Sequence, residues 1–435
     1  MRVLALDIGT SSVRAQPYDE RARAVGGVSR RAYEPRGTEL DADELFQACE
    51  AVLKEAREGG ETVAVSCFWH SLLLLDADDR PLTPVLLWSD RRAAAQAQEL
   101  ARRLDGVDVH ARTGAAIHPS YWPAKLMWLR EEGVLGQAGR AVSFGDYLFL
   151  RLTGELRTGL CTASGTGLVD LRARAWDAEL LDALALDPEL LPPIGDEPAG
   201  AIYPALGDGA CSNLGTGCTT ADRAALMIGT SGAYRVLREG EPQPREGLFS
   251  YLLDDRRVVE GGAVSDGGNL HAWLERTLQL DHAELREPDG HGLTFLPLLG
   301  GERSPGWNPR ATGAIAGLTF ETDAVDLLQA GLEGVAYRFA EIADRLPEVR
   351  EVVATGHALL TDPAWIQLCA DALGRPVTAG VDEGSLRGAA VYALERLGQE
   401  AEAAPVGRIY EPDPRRNEIY AAARERQREL YRRLF

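Results

Sequence analysis

Two stretches of the chain share one pattern: LALDIGTSSVRAQ at 4–16 and ALMIGTSGAYRV at 225–236. Each begins with an apolar run, breaks at Gly-Thr-Ser and continues as a second apolar segment, which is typical of a β-hairpin with a tight glycine turn. The shared IGTS recurs after 220 residues in a chain of 435. A repeat at half the chain length predicts two halves of similar architecture.

The repeated turn is a candidate phosphate-binding loop. Such a turn exposes consecutive backbone N–H groups and two hydroxyls, which bind phosphate oxygens without a lysine. The candidate phosphate contacts are Thr10 and Ser11 in the first copy and Thr230 and Ser231 in the second. Only the first copy carries a carboxylate, because Asp7 stands where the second copy has Met227. The pair therefore predicts two loops facing each other across a cleft, with one Mg²⁺ site at Asp7.

Composition bounds the class of protein. Hydrophobic residues make up 45% and charged residues 26% of the chain, which is typical of a soluble globular protein of two to three domains. A net charge of −20 argues against nucleic acid and anionic lipid as partners. No apolar run approaches the roughly 18 residues of a membrane span, and Asp7 interrupts any signal-like start, so we expect a cytoplasmic protein. Six scattered cysteines predict free thiols.

Several nucleotide-binding motifs are missing from the sequence. The only lysines are Lys54 and Lys125, and neither follows a glycine, so a P-loop is excluded. The chain has no GxGxxG spacing and no HRD catalytic loop, which removes support for a Rossmann dinucleotide site or a protein kinase. Phosphate must therefore be bound in another way.

Eight segments resemble the FGGY family of carbohydrate kinases, and together they cover nearly the whole chain. They are DIGTSSVR at 7–14, HSLLLLDADDRPLTPVLLWSDRRA at 70–93, SYWPAKLMWL at 120–129, GDGACSNLGTG at 207–217, IGTSG at 228–232, GGAVSDGGN at 261–269, GERSPGWN at 301–308 and TGHALLTDPAWIQLCADALGRPV at 355–377. The resemblance implies an α/β fold of two ribonuclease H-like, actin-like ATPase domains around a central nucleotide and sugar cleft. We expect the sugar-side domain over 1–220 and the adenosine-side domain over 221–435.

The segments HSLL, SYWPAKL and GERSPGW are most similar to the gluconokinase branch of that family. This implies phosphorylation of D-gluconate to 6-phosphogluconate, with ATP and Mg²⁺. A xylulokinase or another polyol kinase is an alternative within the family. A non-catalytic nucleotide-binding protein on the actin-like fold is an alternative of a different class. The sequence also leaves room for a homodimer.

The resemblance assigns the catalytic and nucleotide-binding residues. Asp208 matches the catalytic aspartate of the family and is expected to accept the proton of the attacking hydroxyl, with Gly207 and Gly209 letting the backbone approach the substrate. The residues assigned to the nucleotide are Gly9, Thr10, Ser11, Ser12, Arg14, Gly229, Thr230, Ser231, Gly356, His357 and Thr361. Arg14 is read either as a phosphate contact or as a solvated strand arginine. His357 replaces a family glycine and either donates to phosphate or crowds the nucleotide.

The sugar site is assigned to the first half and to one segment of the second. The candidate sugar contacts are Trp69, His70, Tyr121, Lys125, Asp208 and Arg303. Trp69 and His70 follow an apolar strand at 62–68 that is expected to end at the cleft. For an acid sugar, either Lys125 or Arg303 pairs with the carboxylate.

Three helices are predicted in the second half. The segment 361–376 has Thr361 or Asp362 as N-cap, Pro363 in the first turn and Gly374 as terminator. The segment 323–345 carries apolar residues at three-to-four spacing and is predicted to pack in the core. The charged carboxyl-terminal segment predicts a helix whose arginines form a solvated face.

Overall fold

The computed structural model describes residues 2–57, 62–280 and 284–435. The strands are β1 (Val3–Ile8), β2 (Ser12–Tyr18), β3 (Ser29–Ala32), β4 (Glu39–Leu40), β5 (Thr62–Cys67), β6 (Leu73–Leu75), β7 (Val85–Leu86), β8 (Arg140–Val142), β9 (Val169–Asp170), β10 (Ala175–Trp176), β11 (Leu206–Gly207), β12 (Arg223–Ile228), β13 (Gly232–Glu239), β14 (Phe249–Leu252), β15 (Arg257–Val264), β16 (Thr294–Leu296), β17 (Ala314–Ala316), β18 (Glu351–Thr355), β19 (Val377–Ala379) and β20 (Ile409–Tyr410). The helices are α1 (Ala42–Ala56), α2 (Ala94–Arg103), α3 (Gly106–Thr113), α4 (Trp122–Glu131), α5 (Phe144–Thr153), α6 (Leu160–Ser164), α7 (Ala178–Ala183), α8 (Asp208–Gly215), α9 (Gly268–Leu278), α10 (Ala324–Ala343), α11 (His357–Leu360), α12 (Pro363–Leu373), α13 (Gly384–Arg396) and α14 (Pro414–Leu434).

The first half is built on a five-stranded mixed sheet in the order β3-β2-β1-β5-β11. Strand β1 pairs antiparallel with β2 and parallel with β5. The register sets Asp7 of β1 directly opposite Arg14 of β2. Cross-strand neighbours of opposite charge attract each other, so Arg14 helps to hold the Asp7 carboxylate in place.

The second half repeats the same order in β15-β13-β12-β18-β19, to which β14 and β20 add one strand at each edge. Strand β12 is antiparallel to β13 and parallel to β18, as β1 is to its two neighbours. The predicted pair of ribonuclease H-like α/β domains is therefore confirmed.

Both Gly-Thr-Ser segments are hairpin turns, as predicted. The amide of Gly9 donates to the carbonyl of Ser12 at 3.0 Å, and the amide of Gly229 donates to the carbonyl of Ser231 at 3.0 Å. Each turn follows the first strand of its sheet, and each sheet presents the turn at the carboxyl end of that strand. The two turns are therefore equivalent points of the two halves.

Helices α8 and α13 follow β11 and β19, and they cross at glycines. A Cβ on Gly388 of α13 would lie 1.8 Å from the carbonyl oxygen of Cys211 in α8, and one on Gly215 would lie 1.8 Å from that of Gly384. Helix α13 packs against β1 and β5 of the first sheet, and α8 packs against β13 of the second. Each half thus packs one helix against the sheet of the other half. The sequence did not predict this arrangement. The boundary at residue 220 stays a prediction about the chain.

The three predicted helices of the second half are present. Helix α12 begins at Pro363 with Asp362 as N-cap and ends at Gly374, which adopts the left-handed conformation. Helix α10 is buried along most of its length, as expected for core packing. Helix α14 is more than a solvated face, since Tyr420, Ala423 and Gln427 are buried. None of the described helices is long and apolar enough to cross a bilayer.

Candidate active site

Both hairpin turns line one cleft of about 530 Å³ between the two halves. The predicted residues on its wall are Asp7, Gly9, Thr10, Ser11, Ser12, Arg14, Asp208, Gly229, Thr230, Ser231, Gly356 and His357. The two turns face each other across this space, as their repeat predicted. Backbone amides and hydroxyls from both halves can therefore reach the same polyphosphate.

Asp7 is buried at the floor of the cleft and held by two donors. Its Oδ1 accepts a hydrogen bond from the Ser66 hydroxyl at 2.6 Å, and its Oδ2 is ion-paired with Arg14. Arg14 also pairs with Glu383 Oε2 at 2.6 Å, just before α13. These contacts argue against Arg14 as a freely solvated strand residue, because its guanidinium joins carboxylates from both ends of the chain.

Asp208 is the first residue of α8 rather than part of a loop. Its Oδ1 accepts the amide hydrogen of Gly209 at 2.7 Å. Burial raises the pKa of Asp208 to about 6, and the nearby guanidinium of Arg235 counteracts that rise. A carboxylate with a pKa near neutrality is suited to act as a general base.

The glycines on either side of Asp208 have a packing role that the sequence did not predict. A Cβ on Gly207 would lie 1.9 Å from the Trp69 ring, and one on Gly209 would lie 2.5 Å from the same ring. The glycines therefore make room for Trp69, which is 7% exposed and donates its indole N–H to the Cys161 carbonyl at 3.1 Å. Trp69 packs against the backbone on both sides of Asp208 and does not line the cleft.

The second turn is attached to the start of α9. The amide of Gly268 donates to the Gly229 carbonyl at 2.8 Å, and that of Asn269 donates to the Thr230 carbonyl at 3.0 Å. Both residues line the cleft, and neither was among the predicted site residues. The run SDGGN at 265–269 was their only signal.

Gly356 and His357 form the wall next to the second turn. Gly356 has φ +89°, and a Cβ there would lie 2.6 Å from the Ile228 carbonyl oxygen, so glycine is required. The His357 side chain is 80% exposed, with Nδ1 3.7 Å from Asp382, and extends into solvent. It does not fill the cleft. Thr361 lies off the wall and donates its hydroxyl to the His357 carbonyl at 2.8 Å within the helix.

A cluster of aromatic and cationic side chains lies behind Trp88, which lines the cleft and was not predicted. The Arg303 guanidinium carbon sits 4.1 Å above the Trp88 ring. Arg303 Nη2 donates to the Val264 carbonyl at 2.7 Å, while its buried Nε has no hydrogen-bond partner among the described residues. Burial lowers the pKa of Arg303 to about 10, which leaves it cationic at neutral pH.

His70, Tyr121 and Tyr251 pack together in the same cluster. Their ring centroids lie 5.0 Å apart for His70 and Tyr121 and 5.7 Å apart for His70 and Tyr251. The two tyrosine hydroxyls are 2.5 Å apart and share a hydrogen bond. His70 Nδ1 donates to the Gly165 carbonyl at 2.6 Å, and burial lowers the pKa of His70 to about 3, so the imidazole is neutral.

Lys125 is 1% exposed and does not line the cleft. Its ammonium donates to the carbonyls of Leu87 at 2.7 Å and His70 at 3.2 Å. His70 has a left-handed φ of 68°, and Leu87 directly precedes Trp88. The Lys125 ammonium therefore connects the backbone at His70 to the backbone next to Trp88. Arg303 does not line the cleft either, but its buried Nε has no hydrogen-bond partner among the described residues, whereas the Lys125 nitrogen has two.

Comparison with known proteins defines the class to which this fold and site belong. Residues 2–219 match the model of the FGGY family of carbohydrate kinases, N-terminal domain. Residues 224–395 match the model of its C-terminal domain. The chain belongs to the FGGY family of carbohydrate kinases. It is an enzyme, which sets aside the non-catalytic alternative, and the kinase class implies ATP as a substrate.

Individual relatives include two kinds of sugar kinase. The gluconokinase of Bacillus subtilis (strain 168) is 28% identical over 91% of this chain and 88% of its own length. The xylulose kinase of Escherichia coli (strain K12) is 28% identical over 99% of both chains. The crystal structure of gluconate kinase from Lactobacillus acidophilus superimposes with a TM-score of 0.89 at 28% identity, covering 100% of this chain and 98% of that one. The specific sugar is not resolved by these likenesses.

Proposed function

We propose that this carbohydrate kinase transfers the γ-phosphoryl group of ATP to D-gluconate, giving 6-phosphogluconate and ADP. The observation that carries the proposal is the buried cation Arg303, which lies against the Trp88 ring of the cleft wall. The carboxylates of Asp208 and Asp266 attract Arg303 through space, and its Nε has no hydrogen-bond partner among the described residues. Burying a guanidinium that lacks a bound anion is unfavourable, so an acceptor that carries a carboxylate matches this site.

Asp208 performs the proton transfer in this scheme. The oxygen of the acceptor hydroxyl attacks the γ-phosphorus, and its proton moves to the Asp208 carboxylate. The bond between the γ-phosphorus and the bridging oxygen breaks, and ADP leaves with the electron pair. The two Gly-Thr-Ser turns hold the phosphates in line through their amides and hydroxyls, which supplies most of the catalysis by positioning.

The donor set around Asp7 fits a Mg²⁺ ion. Each Asp7 oxygen accepts from one neighbour, Ser66 or Arg14, and has the capacity to accept a second contact, and Asp7 lines the cleft. Mg²⁺ binds one or two carboxylates together with water and phosphate oxygens. Asp7 would hold the ion, which when bound neutralises charge on the triphosphate.

D-Xylulose is the second candidate acceptor. The Escherichia coli xylulose kinase matches this chain over more of its length than the Bacillus subtilis gluconokinase does, at the same 28% identity. Xylulose carries no carboxylate, so it would leave Arg303 to bind hydroxyl groups only.

The experiment is a coupled ADP-release assay with D-gluconate, D-xylulose, D-ribulose and glycerol. We expect kcat/KM for gluconate to exceed that for each other acceptor by about tenfold or more, as one extra charge-assisted contact allows. The Arg303→Gln variant should lose about tenfold or more for gluconate and much less for xylulose. Arg80→Gln, at an exposed arginine, is the matched control. A wild-type enzyme that prefers xylulose would overturn the choice of acceptor.

A further inference from the structure

Helix α14 lies beyond the family match, which ends at residue 395, yet its last two turns reach the loop that carries Arg303. The hydroxyl of Tyr431 donates to Glu302 Oε2 at 2.6 Å. One turn earlier, Arg428 Nε donates to Glu341 Oε1 at 2.9 Å. The carboxyl-terminal helix is therefore in polar contact with the residue that precedes Arg303.

These contacts complete a buried ion cluster. Glu302 is 2% exposed, Glu341 5% and Arg338 4%. Arg338 lies between the two carboxylates, pairing with Glu302 and donating to Glu341 Oε2 at 2.8 Å. Arg428 supplies a second guanidinium from α14 to Glu341, and it also pairs with Asp344 and Glu425 at the surface. Without α14 the cluster would retain an uncompensated buried negative charge, which is strongly unfavourable.

Glu302 is also the centre around which its own loop folds. Its Oε2 accepts the amide hydrogen of Asn308 at 3.2 Å. A Cβ on Gly306 would lie 2.4 Å from the same carboxylate, so the loop backbone closes directly over it. Arg303 and Trp307 stand on this loop, and the Trp307 ring lies 5.7 Å from Tyr121 of the sugar-side cluster. The direction of the Glu302 carboxylate therefore determines where these two side chains lie.

We infer that α14 is a positioning element for the acceptor sugar, acting through the hydrogen bond from Tyr431 to Glu302. Tyr431 is not among the residues that line the cleft. It fixes the Glu302 carboxylate, which fixes the loop at 302–308 and with it the guanidinium of Arg303. The inference rests on the proposed function in one respect, namely that Arg303 contacts the acceptor.

The test is the Tyr431→Phe variant, which removes one hydroxyl and keeps the ring. We expect the KM for D-gluconate to rise about three- to tenfold, the range for losing one hydrogen bond of ordinary strength, while the KM for ATP stays within about twofold. A hydroxyl that only stabilised the fold would not separate the two constants. Tyr420→Phe is the control, since Tyr420 is on the same helix but faces Glu333 and Tyr337.

A double-mutant cycle with Glu302→Gln separates this inference from general destabilisation. Both changes remove the charge-assisted hydrogen bond, the first by deleting the hydroxyl and the second by neutralising the carboxylate that accepts it, so their effects on the gluconate KM should be less than additive by about threefold or more. Additive effects, or parallel rises in both KM values, would overturn the role of α14. If Arg303→Gln raises the gluconate KM while Tyr431→Phe leaves it unchanged, the proposed function stands and this inference fails. If neither variant changes the gluconate KM, both fail.

Discussion

Asp208 combines a carboxylate with a half-buried position on the cleft wall, and its acidity follows from that combination. Burial raises the pKa of Asp208 to about 6. A general base must be ionised to accept a proton, so kcat/KM should rise with pH through a midpoint of about 6 and level off above it. The measurement is the pH–rate profile with gluconate and ATP. A profile that is flat between pH 5 and 7 would show that another group takes the proton.

Replacing the same side chain tests its role directly. Asp208→Asn keeps the size of the residue and removes its capacity to accept a proton. We expect kcat to fall by about 10²–10⁴-fold, the usual contribution of a general base, with the KM for ATP little changed. Steady-state kinetics and ATP binding by calorimetry check this. Full activity in the variant would be incompatible with Asp208 as the base.

The burial of Lys125 predicts how the free energy of unfolding changes with pH. Burial lowers the pKa of Lys125 to about 7 in the folded state, whereas an unfolded lysine titrates near 10.5. Between these values the unfolded chain binds more protons, so the Lys125 contribution to the free energy of unfolding grows as pH rises. From pH 7.5 to 8.5 the wild type should gain about 1 kcal/mol relative to Lys125→Met.

Urea unfolding at three pH values measures that difference. Lys54→Met is the matched control, because Lys54 is the other lysine of the chain and lies exposed on α1. The free energy of unfolding of Lys54→Met should follow that of the wild type at every pH. A constant difference between wild type and Lys125→Met would mean that the buried amine does not titrate in this range.

The sequence best predicted the place of a residue when the local backbone conformation determines that place. Thr10 and Thr230 line the cleft because each belongs to a turn that its neighbours dictate. Trp69 shows the limit of such reasoning. It was predicted to contact the sugar, but its ring lies against Gly207 and Gly209, about 140 residues away in the chain. A tryptophan that needs two distant glycines to fit cannot be recognised from its local sequence.

At the level of elements, the crossing of α8 and α13 depends on the absence of side chains. A methyl group on Gly388 would lie 1.8 Å from the Cys211 carbonyl, so Gly388→Ala must push the helices apart. We expect a loss of about 1–3 kcal/mol in the free energy of unfolding, although alanine is the better helix former. Urea unfolding checks this, with Gly136→Ala as control because nothing lies within 4 Å of a Cβ there. Equal stability of both variants would contradict the close crossing.

Local signals predicted single elements better than their packing. The limits of α12 follow from Asp362, Pro363 and Gly374, which begin and end a helix in any context. The charged pattern of α14 correctly predicted a helix, yet it gave no sign that Tyr431 reaches Glu302. A contact between segments more than 100 residues apart does not change the spacing of apolar and charged residues in either segment, so the sequence pattern does not predict it.

At the scale of the whole molecule, the repeat predicted two similar halves but not their shared interior. One hydrophobic cluster joins Val3 and Ala5 of the first strand with Leu386 and Leu394 of α13. A chain divided at residue 220 would therefore separate residues that pack together. This is why the repeat locates two sheets and leaves the structural boundary undetermined.

The shared cluster predicts cooperative unfolding. We expect a single calorimetric transition for the whole chain, since neither sheet keeps its packing once α8 and α13 separate. The fragment 1–220 alone should lack a cooperative transition, because α13 is missing from it. Two resolved transitions, or a fragment as stable as the full chain, would show that the halves fold independently.

The scarcity of lysine also makes the protein easy to tag. With Lys125 enclosed and Lys54 on the open side of α1, reagents that acylate primary amines have one side chain to attack, apart from the chain's own starting amine. A fluorophore or a biotin group attached to a lysine side chain would therefore sit at Lys54. Immobilised through that point, all copies would face a sensor surface in one orientation.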